Sequence, residues 1–156
     1  LGIQVVEKGE IKVVGISWNG NISQKDTIPG LFHVMERRLN EITNKTEEYV
    51  FIAPFHSRET EITYYVTAPV EKLEQIPEGM VGFTIPRKNY VFATHKGKLE
   101  EIENTYKQIF CWMNEYGYEQ DHSALSLEIY KEENIEPNRD EDKHIEIYLP
   151  VKAYKY

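Results

Sequence analysis

Ile109-Phe-Cys-Trp-Met-Asn-Glu-Tyr-Gly-Tyr118, followed by Leu125-Ser-Leu-Glu-Ile-Tyr130, contains the change of period on which the fold turns. The first tract continues an apolar face made by Leu99, Ile102, Tyr106, Ile109, Phe110 and Met113, spaced as a helix spaces one side. Gly117 stands where a left-handed C-cap would stop that helix. In the second tract the apolar residues alternate, the period of a strand. Leu125, Leu127 and Ile129 therefore share one face, and Ser126, Glu128 and Tyr130 the other.

Outward from this pair, strand signals precede the helix at residues 80–85 and 90–95, broken by Pro86-Arg-Lys-Asn89. A last strand at 144–151 follows residues 123–131 across an acidic, proline-marked loop, 132–142. The same order occurs earlier in the chain. Residues 3–18 are rich in β-branched side chains and read as one bent strand or two short ones around Lys8-Gly9-Glu10. Asp26 or Thr27 as N-cap, with Pro29 in the first turn, opens a helix whose Ile28, Leu31, Phe32, Met35, Leu39 and Ile42 line one face. Strands at 49–56 and 61–70 follow, joined by Ser57-Arg-Glu-Thr60.

Residues 11–70 and 90–151 thus each spell strand, helix, strand, strand. The expected fold is α+β: a tandem βαββ repeat with pseudo-twofold symmetry, forming an antiparallel sheet with two helices packed on it and a central cleft. At 156 residues the chain suits one domain, 1–156, with a first half of about 1–70, a linker at 71–79 and a second half at 80–156.

Composition narrows the function. Eighteen Lys+Arg against 26 Asp+Glu give a net charge of −8, and no basic stripe could track phosphates, so no direct nucleic-acid partner is expected. The single cysteine, Cys111, forbids an intrachain disulfide; it is expected to be a buried thiol in a reducing compartment. With no signal-peptide pattern and no apolar run of membrane length, no membrane partner is expected and a cytoplasmic location is. The five histidines have no paired spacing of the kind that builds a metal site, and no glycine-rich phosphate loop is present, so neither metal nor cofactor is expected.

The chemistry of interest centres on Glu128. If Leu125, Leu127 and Ile129 face the helices, Glu128 lies on the opposite, concave side with Tyr130. In the repeat, Ala53 takes the place of Glu128 and Phe55 that of Tyr130, while Tyr65 and Tyr148 occupy matching positions in the two final strands. A carboxylate among aromatic rings suits a cation: the ring faces attract positive charge and the acid neutralises it.

The βαββ duplication, the two quoted tracts and the closing Ile145-Glu-Ile-Tyr-Leu-Pro-Val151 together resemble the GyrI-like, AraC-type effector-binding domain, a family that includes the multidrug-sensing ligand domain of MerR-type regulators and integron-cassette effector-binding proteins. The resemblance covers nearly the whole chain. It implies two modules around a hydrophobic cleft, Glu128 as the acid that meets cationic aromatic ligands, Trp112 as the accompanying helix tryptophan and Tyr130 as the tyrosine of the same strand. It also implies a small-molecule hydrophobic cation as partner, with a protein partner or transcription regulator left open. Two alternatives stand beside this one: a hydrolase of electrophilic, drug-like molecules using Glu128 as general base, and a gyrase-inhibitor-like protein-interaction module. No nucleophile–base pair is visible, no catalytic residue is assigned, and binding outweighs catalysis.

Overall fold

A computed structural model of the chain describes residues 2–131 and 143–152. The expected 132–142 loop lies outside the described residues. The strands are β1 (Gln4–Lys8), β2 (Ile11–Asn21), β3 (Val50–Ser57), β4 (Glu61–Val70), β5 (Val81–Ile85), β6 (Lys88–Gly97), β7 (Ser126–Lys131) and β8 (Lys143–Pro150); the helices are α1 (Ile28–Arg38) and α2 (Ile102–Tyr116). All strand pairings are antiparallel, in the order β1-β6-β8-β7-β3-β4-β2-β5.

That order is a palindrome about the β3–β7 seam, where Ala53 pairs with Glu128. The pseudo-twofold therefore runs between these two residues. Each half also lends its leading strand to the other: β1 pairs with β6, and β5 pairs with β2. Only Pro86 and Arg87 separate β5 from β6, although six strand intervals lie between them in the sheet. A flat sheet would hold them roughly 29 Å apart, whereas two linking residues reach about 11 Å. The sheet must curl, and the same holds for β1 and β2 around Gly9-Glu10. Gly15 allows the close approach this needs, since a Cβ there would sit 2.0 Å from the Val66 carbonyl oxygen.

Curling decides which face the helices cover. Leu127 and Ile129 do not face the helices, as their alternation first suggests; they pack with Val13, Ile52, Ile85 and Tyr90 in a cluster made only of strand residues. The sheet wraps its own apolar face, so this face needs no helical cover. The helices take the other side: Met35 of α1 packs with Val14, Tyr64 and Val66, and Ile109 and Met113 of α2 pack with Ala93, Ile145 and Ile147. Glu128 thus points toward the helices rather than away from them.

Several local signals resolve differently from expectation. The helical segment opens earlier than Thr27, which makes no side-chain cap: a 3-10 stretch, Ile22–Thr27, precedes α1. It is capped by Asn21, whose Oδ1 accepts from Ser23 N–H at 3.1 Å while Gln24 Oε1 accepts from Asn21 N–H at 3.0 Å. Gly117 ends α2 at φ 76°, the left-handed cap its sequence position predicts. Cys111 is exposed, not buried, because it lies about 200° around α2 from the inward Ile109. Among the described residues, no helix is long and apolar enough to cross a membrane.

Candidate functional site

The helices cover the two ends of their face and leave its middle open. Between them, over β3 and β7, lies a cavity of about 1370 Å³, above the roughly 300–1,000 Å³ usual for small-molecule sites. Alternation on β7 turns Ser126, Glu128 and Tyr130 into it, and alternation on β3 does the same for Phe51 and Phe55. Phe32 of α1 and Tyr106 of α2 come down from either side.

Glu128 is 7 % exposed. A buried carboxylate demands donors, and three phenols supply them. Tyr64 and Tyr130 donate to Oε1 at 2.8 and 2.7 Å, and Tyr106 donates to Oε2 at 2.5 Å. Burial, reinforced by the neighbouring carboxylate, pushes all three phenols well above the ordinary tyrosine range. They stay neutral donors and add no charge. Glu128 forms no ion pair among the described residues, so none of their cationic side chains neutralises the carboxyl group at the floor of the cavity.

The walls are aromatic. Phe32 packs on Tyr130 with centroids 4.7 Å apart and edge-on to Phe51 at 5.9 Å. Phe55 stacks on Tyr64 at 5.8 Å and meets Tyr106 edge-on at 6.5 Å. Phe110, 46 % exposed, stands at the mouth rather than in the core. An exposed ion pair, Lys25 to Glu103 at 3.1 Å, joins the segment before α1 to the first turn of α2 at the cavity's edge.

Of the residues singled out in the sequence, the structure brings Glu128, Tyr130 and Phe55 together on the cavity wall. It does not bring Trp112, Tyr65 or Tyr148 there. Trp112 lies six residues beyond Tyr106, about 120° around the helix, and stacks with Tyr118 and Tyr116 at 5.4 and 4.8 Å. Tyr65 turns to the far face of the sheet, against Phe83. Tyr148 shares that face, packs on Phe92 and Tyr90, donates to Glu146 and carries Lys8 over its ring. The two are not equivalent either: Ile52 pairs with Thr67 as Leu127 pairs with Tyr148, so the counterpart of Tyr148 is Thr67.

The residues that sequence reasoning passes over are Tyr64, Tyr106 and Phe32. Tyr64 lies beside Tyr65, and the parity of β4 decides between them. Tyr106 and Phe32 stand on the apolar faces already counted as core. Among the described residues, no group of three or more His, Cys, Asp or Glu side chains is placed to hold a metal ion.

Comparison with known proteins agrees with this architecture. The transcriptional regulator BrlR of Pseudomonas aeruginosa is 27 % identical over 150 residues, covering 95 % of this chain and 54 % of the regulator; the chain thus spans about half of that relative's length. Among solved structures, SAV2435 bound to tetraphenylphosphonium superposes with a TM-score of 0.74 at 14 % identity, over 97 % of this chain and 94 % of that one. The EcmrR C-terminal domain gives 0.77 at 16 % identity, over 98 % of each chain. Matched by the family model from residue 2 to residue 152, the chain belongs to the GyrI-like small molecule binding domain family.

Proposed function

We propose that this chain takes up hydrophobic organic cations bearing aromatic rings, and that Glu128 neutralises the guest's charge. The observation that carries the proposal is the carboxylate itself: buried, held by three neutral phenols and lacking a counterion among the described residues, at the floor of a cavity walled by rings. A carboxylate has about four acceptor sites, and the phenols occupy three. With one acceptor site left, what Glu128 offers a guest is charge more than hydrogen bonding, and three donated hydrogen bonds weaken it as a general base. SAV2435, of like fold, is bound to tetraphenylphosphonium, which supports the choice of ligand class. BrlR is a transcriptional regulator, and a role in passing ligand occupancy to a DNA-reading partner belongs to the same proposal.

The test compares tetraphenylphosphonium with neutral triphenylphosphine oxide by calorimetry, on wild type and Glu128→Gln. The amide introduced by this change can still meet the three rotatable hydroxyls, so the fold should survive it. We expect the cation to bind wild type at least about tenfold more tightly than the neutral compound, a gap of about 1.4 kcal/mol, and the gap to close in the variant. Equal binding of both compounds by wild type would sink the proposal.

A further inference from the structure

Building on that reading, we infer that Ser126 makes the cavity selective among aromatic cations, favouring those with a hydrogen-bonding group about 7 Å from the charge, two residues along a strand. The two halves of the molecule differ at this point. Across the seam Phe51 pairs with Tyr130 and Phe55 with Ser126, so Ser126 is the counterpart of Phe51. Phe32 meets Tyr130 as Tyr106 meets Phe55, which makes Tyr106 the counterpart of Phe32. On the first side a phenyl ring, Phe51, fills the space before Phe32. On the second side a hydroxyl stands in that place, and the volume of a ring is given over to the cavity.

The hydroxyl is available. Ser126 is 5 % exposed, lines the cavity and has no hydrogen-bond partner among the described residues, in a structure where other buried polar side chains are paired. His56, the other polar ring near that end, is fully engaged: its Nε2–H donates to the His122 carbonyl at 2.7 Å and its Nδ1 accepts from Arg58 at 3.2 Å. The Ser126 oxygen is open to solvent from the cavity, since no fully buried side-chain polar atom among the described residues lacks a partner, and a guest's hydrogen-bonding group can take the place of water there. Glu128 fixes where the charge sits, and Ser126 then reads what lies two residues further along β7.

A matched pair of probes tests this: (4-hydroxymethylphenyl)triphenylphosphonium and (4-ethylphenyl)triphenylphosphonium, which differ by a hydroxyl in place of a methyl. Titration calorimetry on wild type should favour the alcohol by about three- to tenfold, the worth of one net hydrogen bond. Ser126→Ala should remove or reverse that preference while leaving affinity for the ethyl probe within about twofold. Ser126→Cys, nearly the same shape with a weak donor, should behave likewise and covers the case in which S126A folds poorly. Equal binding of the two probes by wild type, a preference that survives in either variant, or loss of both probes together in a folded variant overturns the inference while the cation reading stands. If wild type binds neither probe, the cation reading falls and this inference with it.

Discussion

The two faces that meet at the seam have the same backbone and opposite chemistry. On β3 the residues on the cavity's side of the sheet are Phe51, Ala53 and Phe55, of which the two rings line the cavity; on β7 they are Ser126, Glu128 and Tyr130, all of which line it. The first half supplies rings and a gap, the second supplies a charge and hydroxyls. Because Ala53 and Glu128 pair directly at the axis, the small residue makes room for the acid beside it. The duplication therefore provides the cavity, and the departure from duplication provides what the cavity can recognise.

Restoring symmetry is the severest way to break this contrast. Ala53→Glu would place a second carboxylate with its Cβ about 4.5–5.5 Å from that of Glu128, at a site with no exposure. We expect a loss of about 3–5 kcal/mol, the scale of an uncompensated buried charge, read by urea unfolding. The reverse change, Glu128→Ala, makes both halves neutral but leaves three buried phenols without their acceptor. It should destabilise by about 1–3 kcal/mol and abolish preference for cations over neutral analogues; Glu128→Gln should cost less than half as much stability.

The tyrosine cluster predicts a gentler, pH-dependent effect. Unfolded tyrosines release their protons near pH 10, whereas Tyr64, Tyr106 and Tyr130 hold theirs well above that, and burial pushes Tyr90 to about 12. Above pH 10 the unfolded state therefore binds fewer protons than the folded state, and stability falls as pH rises. Below pH 9 these groups should contribute no slope. Urea midpoints measured from pH 8 to 11 should show the decline, made shallower by Tyr64→Phe. The smallest effect belongs to the tie across the cavity's edge: Lys25→Met should change stability by less than about 0.5 kcal/mol, since the pair is exposed. A larger change would mean that the halves depend on each other through the helices as well as through the sheet.

Much of this is readable from the chain, and the failures are specific. Period alone gives the element order, most of each helix face and the parity that puts Ser126, Glu128 and Tyr130 side by side; α1 stops at Arg38, so Leu39 and Ile42 of the expected face fall beyond it. Parity names two faces without saying which one the helices cover, and here the apolar face is covered by the curl of the sheet. That curl comes from the exchange of β1 and β5, a long-range pairing with no local signature. Matching Tyr65 to Tyr148 by letter fails because the pairing register sets Thr67, two residues away, against Tyr148. Tyr106 reads as core because a helix face carries apolar periodicity whether it meets a sheet or an opening.

The exchanged strands also constrain how the cavity can change shape. Each half is stitched to the far border of the other, so prising the helices apart like jaws would tear β1 from β6 or β5 from β2. The frame is rigid in that direction, and adjustment falls to the rotation of rings such as Phe32, Phe55 and Phe110 on a fixed chassis. In such a frame a change of cavity shape is a matter of upholstery, not of hinges.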